Sequence, residues 1–265
     1  MVCATLCLVH ARSRDGSEIH YETTGAADTA LVFVHGWMGN LRWWDAQRDA
    51  FAPTHRVVAL DLAGHGLSAR TRTVWSAEAY ADDIVAVVKA VAAPRVVLVG
   101  HSMSGAYALA ACPQISGLAA VILVDTLKNL DAIPTAAEVE PMLATYRADY
   151  PTAVRDALPR FLFASKTPRA VAERLTAEFL TVSGDTAATL LAPLYRFDMR
   201  TAARNVRVPV RGVATDLSPT DATVNRKYFA DYADVTLAGY GHYPMLEAPD
   251  AFNAALREQL DTVGL

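Results

Sequence analysis

The residues Val99-Gly100-His101-Ser102-Met103-Ser104-Gly105 bring an apolar run to a serine and then to a stretch of small residues. A strand that turns sharply into a helix at a nucleophilic serine has this pattern. The turn strains the serine backbone and pushes its hydroxyl out at the carboxyl edge of a sheet. A helix N-terminus lies beneath, and its dipole favours developing negative charge. Small residues are needed two positions before and after the serine, because the strand and helix backbones crowd there. Gly100 and Ser104 meet that need, although Ser104 departs from the glycine that usually closes the pattern. The segment is neither a G-x-G-x-x-G turn nor a phosphate loop with its lysine, so Ser102 reads as a nucleophile.

A serine is a weak nucleophile without a base. Of the seven histidines, His242 lies in the glycine-rich loop Gly239-Tyr240-Gly241-His242-Tyr243-Pro244. Such a loop lets an imidazole reach back over the sheet edge. His101 is a poor base, because neighbours at a sharp turn point apart. The third group should be a buried carboxylate that fixes the imidazole tautomer and steadies its positive charge. Asp216, in the loop ATDLSPTD, and Asp125, which closes VILVD, each follow a strand candidate at a carboxyl edge, where α/β sheets place their sites. Asp216 is the favoured acid, Asp125 the alternative and Asp221 the third in rank.

The oxyanion of a tetrahedral intermediate needs preorganised N–H donors. One is expected from Met103, directly after the nucleophile. The other is expected from Trp37, in the loop His35-Gly36-Trp37-Met38-Gly39-Asn40, where Gly36 permits a backbone turn closed to bulkier residues. Gly36, Trp37 and Met103 are therefore the expected substrate-binding positions. His35 is expected to hold that loop rather than act as a base. In the segment 61–68, Asp61 and Ser68 are expected to shape a tight turn by local hydrogen bonds. A metal held by Asp61 and His65 is the lesser reading, and no metal is expected. Trp37, Trp43 and Trp44 could line an acyl or alcohol pocket or pack the first helix.

These groups need a scaffold that brings loops to one edge. Eight strand candidates are visible, at 4–11, 18–23, 31–34, 56–60, 95–99, 119–124, 208–213 and 233–237. The continuous apolar runs among them read as strands buried on both faces. Ser13-Arg14-Asp15-Gly16 joins the first two as a hairpin. Helical patterns at 77–91, 105–112, 224–232 and 249–262 alternate with the strands, which predicts a mostly parallel sheet with helices on both faces. Between 127 and 204 the alternation stops. Helical segments at 135–149, 152–164, 168–183 and 186–198 predict an inserted helical cap, with 1–126 and 205–265 forming the α/β core.

The composition narrows the partners. The 265 residues are 52% hydrophobic and 20% charged, with 24 basic against 28 acidic residues and a net charge of −4. This is not a disordered chain, and it lacks the basic footprint of a nucleic-acid binder. Cys3, Cys7 and Cys112 are too few for a disulfide framework or a four-cysteine metal site and read as small buried hydrophobes. The opening MVCATLCLVHAR lacks the positive start of a signal peptide, and no run reaches the ~18 apolar residues of a membrane span. The expectation is a cytoplasmic protein. Exposed cap helices could pair into a homo-oligomer.

The motifs HG at 35–36, DLAGHGLS at 61–68, GHSMSG at 100–105 and GHYPMLEAPDAF at 241–252 together resemble the α/β-hydrolase superfamily. The resemblance covers essentially the whole chain, and the helical insertion resembles that family's cap. It implies an eight-stranded sheet whose second strand is antiparallel, a Ser-Asp/Glu-His triad and no cofactor. The tail is similar to serine esterases. Serine at position 102 argues against the haloalkane dehalogenases and epoxide hydrolases, which carry aspartate there. The expected function is hydrolysis of a small-molecule carboxylic ester, thioester or lactone through an acyl-enzyme. The alternatives are a C–C bond hydrolase, a cofactor-free perhydrolase or haloperoxidase, and a ligand-sensing receptor on the same scaffold.

Overall fold

The computed structural model describes residues 7–265. The expected first strand therefore begins, as far as described, at Cys7, and residues 4–6 of it, with Cys3, lie outside the described residues. Among the described residues eight strands form one sheet in the order β1-β2-β4-β3-β5-β6-β7-β8. They are β1 Cys7–Arg12, β2 Glu18–Thr24, β3 Thr29–Val34, β4 Arg56–Leu60, β5 Arg95–His101, β6 Leu118–Val124, β7 Val210–Thr215 and β8 Tyr232–Leu237. β2 runs antiparallel to both β1 and β4, and every other pair is parallel. The hairpin closes at Asp15-Gly16, where Gly16 takes φ 90° and Asp15 Oδ1 accepts from the Ser17 N–H at 2.9 Å.

The central strands are buried throughout their apolar runs, with Leu31 to Val34, Val96 to Val99 and Ala120 to Val124 all closed to solvent. Eleven α-helices accompany the sheet among the described residues. They are α1 Asp45–Phe51, α2 Ala77–Val91, α3 Met103–Ala111, α4 Ala136–Thr152, α5 Pro159–Leu162, α6 Arg169–Phe179, α7 Gly184–Arg196, α8 Met199–Asn205, α9 Ala222–Asn225, α10 Pro244–Glu247 and α11 Pro249–Asp261. α2 shows why the pattern folds: Ser76 Oγ caps the Ala79 N–H at 3.1 Å, and Tyr80, Ile84, Val87 and Val88 form its buried stripe.

α4 to α8 lie between β6 and β7, where the sequence has its run of helical segments. α4 breaks at Asp149 (φ −152°), two residues before Pro151, and Asp149 Oδ1 then caps the Thr152 N–H at 3.2 Å. The expected helix 152–164 is divided. A wide turn over residues 153–157, closed by Leu158 N–H donating to Ala153 O at 2.9 Å, is followed by α5, because Pro159 has no N–H to continue the ladder. The expected helix 224–232 shrinks to α9. Asn225 is buried, and its side chain donates to Leu127 O at 2.7 Å, binding the loop after β6 instead of facing solvent.

Candidate functional site

Parallel pairing puts the carboxyl ends of β3, β5, β6, β7 and β8 along one edge, and the loops leaving them meet there. Val34 pairs with Gly100, His101 with Val124, and Val124 with Val213. Ser102 and Asp125 are thus the first residues beyond two adjacent strands.

Ser102 has φ 55° and ψ −123°, a conformation sparsely populated for any L-residue. Its neighbours over-determine it. The Ser102 N–H donates to Val124 O at 3.0 Å, and Ser102 O accepts from Gly105 N–H at 3.0 Å and from Thr126 Oγ1 at 2.6 Å. A Cβ on Gly100 would fall 2.6 Å from Ser104 O, which is the crowding that demands small residues. Ser104 does more than fit, since its buried hydroxyl donates to His35 O and ties α3 to the loop after β3.

His242 Nε2 lies 2.8 Å from Ser102 Oγ, and His242 Nδ1 lies 2.6 Å from Asp125 Oδ2. With Nδ1–H donating to the carboxylate, Nε2 is left as the acceptor for the serine hydroxyl. Asp125 is buried. Its other oxygen accepts from the Thr215 N–H at 2.8 Å, from Thr215 Oγ1 at 2.9 Å and from the ammonium of Lys128. Burial alone would raise the Asp125 carboxyl. The His242 hydrogen bond and charge, with Lys128, outweigh it and hold the carboxyl well below the usual carboxylate range.

Asp216, ranked first as the acid from sequence, is not at this position. β7 ends one residue before it, on the far side of β6 from Ser102, and its exposed carboxylate accepts from the Gly239 N–H at 2.6 Å. Asp125 pairs beyond Val124 on the strand beside Ser102, so it is one strand nearer, a step of ~4.8 Å. Asp221 is also elsewhere, capping the Val224 N–H of α9 at 3.0 Å. The sequence signal for Asp125 was its place as the first residue after a buried strand. Thr215, Thr126 and Lys128, which support Asp125 and the turn, carry no comparable signal.

The loop after β3 comes against the serine. A Cβ on Gly36 would lie 3.0 Å from Ser102 Cβ and 2.6 Å from His101 Nδ1. Trp37 is the next residue, and Met103 opens α3, where a first-turn N–H has no acceptor within its helix. Gly36, Trp37 and Met103 therefore gather at Ser102. His35 is buried, with Nε2 accepting from the Leu62 N–H at 3.1 Å, and burial pushes it down to about 4. His101 is also buried and pushed down to about 3. Its Nε2 donates to His242 O at 2.8 Å, so it holds the histidine loop and does not face the serine hydroxyl.

Asp61 accepts from the Leu41 and Leu67 N–H groups at 2.7 and 2.9 Å, and Ser68 Oγ donates to Asp61 O at 2.6 Å. His65 is buried, with its Nδ1 on Ala63 O at 3.1 Å. Among the described residues no cluster of three or more His, Cys, Asp or Glu side chains could hold a metal. Cys112 is buried, its Sγ donating to Ala108 O, and burial pushes the thiol up to about 12.

The three tryptophans divide. Trp44 packs in the core against Phe33 at 5.0 Å. Trp43 Nε1 donates to Glu178 Oε2 of α6 at 2.8 Å, and Trp37 Nε1 donates to Ala187 O of α7 at 2.8 Å. Trp37 also stacks on Tyr146 at 5.5 Å and approaches Tyr150 and Phe179 at 6.2 and 6.1 Å. Phe179 in turn lies 6.4 Å from Tyr243, whose ring is 5.2 Å from that of His242. The contacts of Trp37 with Tyr146, Tyr150 and Phe179 carried no signal in the sequence, because helical spacing marks a buried face without saying what it faces.

The arrangement can deprotonate a serine at the carboxyl edge of the sheet. A family model described as "Alpha/beta hydrolase family" matches residues 31–255. The chain is 35% identical over 137 residues to a bifunctional esterase/perhydrolase of Acinetobacter calcoaceticus, a match covering 47% of this chain and 50% of that protein. It is 28% identical over 248 residues to a pimeloyl-[acyl-carrier protein] methyl ester esterase of Xanthomonas oryzae pv. oryzae, covering 88% of this chain and 96% of that one. The first of these matches thus spans about half the length of the curated relative. Among solved structures, a thermophilic esterase from Thermogutta terrifontis superposes with TM-score 0.81 at 24% identity, covering 98% of this chain and 99% of that one.

Proposed function

We propose, on the premise that this chain belongs to the alpha/beta hydrolase family, that it is a serine hydrolase cleaving small-molecule carboxylic esters, thioesters or lactones. The observation that carries this reading is the unbroken chain from Ser102 Oγ through both nitrogens of His242 to the buried Asp125 carboxylate. His242 Nε2 takes the Ser102 proton as Oγ attacks the acyl carbon. The Trp37 and Met103 N–H groups hold the oxyanion, each such donor being worth ~10²–10³ in rate. The intermediate collapses, the acyl–oxygen bond breaks, and the imidazolium returns its proton to the leaving alcohol. A water then attacks the acyl-enzyme, giving its proton to His242, and Ser102 recovers its proton as the acid leaves. Asp125 stays ionised throughout and steadies the imidazolium.

The helices between β6 and β7 serve as a cap, and a cap that closes over an apolar pocket suits a small or medium apolar acyl group. Esterase activity in relatives' names supports the reading. The perhydrolase half of one relative's name favours a second outcome on the same acyl-enzyme, in which hydrogen peroxide takes the place of water. Among the described residues no helix is long and apolar enough to cross a membrane. We place the chain in the cytoplasm on its sparse cysteines.

The test is p-nitrophenol release from acyl esters of several chain lengths, with fluorophosphonate labelling. Turnover and labelling that both vanish in Ser102→Ala are expected. Undiminished turnover in that variant would overturn the assignment, and tight ligand binding with no labelling of the wild type would point to a receptor.

A further inference from the structure

His242 is held by its backbone as well as its ring. Its carbonyl accepts from His101 Nε2 at 2.8 Å, and its N–H donates to Leu162 O at 2.8 Å. Leu162 ends α5, so this second support comes from the helical insertion and not from the sheet domain. More contacts join the same two segments. Thr167 Oγ1, between α5 and α6, donates to Glu247 Oε2 at 2.6 Å and accepts from the Ala164 N–H at 2.9 Å. Glu247 is buried and grips the loop on either side of His242, accepting from the Gly241 N–H at 2.7 Å and the Tyr243 N–H at 3.0 Å. Lys166 Nζ donates to Ala238 O at 3.1 Å and lies over the Tyr240 ring at 5.3 Å. The fit is close enough that a Cβ on Gly241 would run into Leu162 O and come within 3.0 Å of Thr167 Oγ1.

We propose that Thr167 and Glu247 are positioning residues for the base, and that seating of the Leu162–Thr167 segment of the insertion sets where the His242 imidazole stands. Neither residue reaches the reacting atoms, and both act through the backbone of residues 241–243. The inference rests on the reading of His242 as the base. It deepens that reading by making the insertion part of the catalytic geometry as well as a cover for substrate. A buried carboxylate with its oxygens on two flanking N–H groups fixes a loop firmly. A shift of about 1 Å in a catalytic group costs of order 10² in rate, so loss of the Thr167 link should appear in turnover before it appears in substrate affinity.

The test compares Thr167→Val, Thr167→Ser and Glu247→Gln in the full chain. Thr167→Val is expected to lower kcat for a p-nitrophenyl ester about tenfold or more with KM within about threefold, and Thr167→Ser is expected to restore it. The second readout needs no turnover: the low-field proton resonance of His242 Nδ1–H against Asp125 is expected in the wild type, and broadened or lost in Thr167→Val and Glu247→Gln. A Thr167→Val protein with wild-type kcat and an unchanged resonance overturns the proposal, even if its melting temperature falls. A wild type that shows the resonance but no ester turnover or serine labelling sinks the hydrolase reading while the proton signals still decide the clamp.

Discussion

His242 and Asp125 stand 117 residues apart in the chain, and their side chains meet at 2.6 Å. The contact crosses the ends of two strands. The histidine loop leaves β8, passes over the end of β7 and places its ring between Ser102, just beyond β5, and Asp125, just beyond β6. β7 contributes Thr215, whose N–H and hydroxyl hold the second oxygen of Asp125.

The two candidate acids separate cleanly by mutation. Asp125→Asn removes the charge that steadies the imidazolium and disturbs the tautomer, which in serine-histidine-aspartate sites lowers kcat by about 10⁴. Asp216→Asn removes only the charge from an exposed contact to the Gly239 N–H and should leave kcat/KM within about threefold. Steady-state kinetics on one p-nitrophenyl ester checks both, and a silent Asp125 change would return the acid to Asp216.

Gly36→Ala should damage turnover more than stability. Its Cβ would press on His101 Nδ1 at 2.6 Å and Ser102 Cβ at 3.0 Å, so the loop that carries the Trp37 N–H must retreat. Loss of one oxyanion donor costs about 10²–10³ in kcat. Kinetics paired with thermal melting is the measurement, and a variant with full kcat would place the donor elsewhere.

Ser104→Ala tests the residue that departs from the usual glycine. The buried His35 carbonyl would lose its hydroxyl partner, at a cost of about 1–3 kcal/mol in denaturant unfolding. Since the lost bond joins α3 to the loop after β3, kcat should fall as well. Wild-type stability and rate together would mean that water replaces the hydroxyl without loss.

Asp125 should also mark the acid limb of the stability curve. Its folded carboxyl lies below the ordinary value, so the unfolded state binds protons first as pH falls. The stabilisation is complete above the unfolded carboxylate range, near pH 4, and is lost as pH drops toward the lowered folded value. Asp125→Asn should therefore flatten the loss of stability below about pH 4. A limb of unchanged steepness would show that other carboxylates govern acid unfolding.

What could be read from sequence was local in character. Ser102 was legible because a sharp strand-to-helix turn imposes residue types within three positions on either side. His242 and the Gly36 loop were legible for the same reason, each lying in a short glycine-marked segment just beyond a strand. Buried strands announced themselves as apolar runs, and these sufficed for a mostly parallel sheet with an antiparallel second strand implied by resemblance. The helix expected at 224–232 failed because Asn225 is committed to the loop after β6, a contact no periodicity records.

The choice between Asp125 and Asp216 belonged to the tertiary structure. Both end a strand, and spacing along the chain says nothing about which strand lies beside β5. The sheet order puts β6 there, with Val124 level with His101, and pairing one strand further out leaves Asp216 to cap Gly239. The support of His242 by Leu162, Thr167 and Glu247 was invisible for a related reason. It depends on where a helical insertion settles against a loop some 80 residues away. Sequence thus determined which residues could do chemistry, through constraints that act within a turn. Only the folded chain decided which of them meet, because strand register and helix docking are long-range packing outcomes.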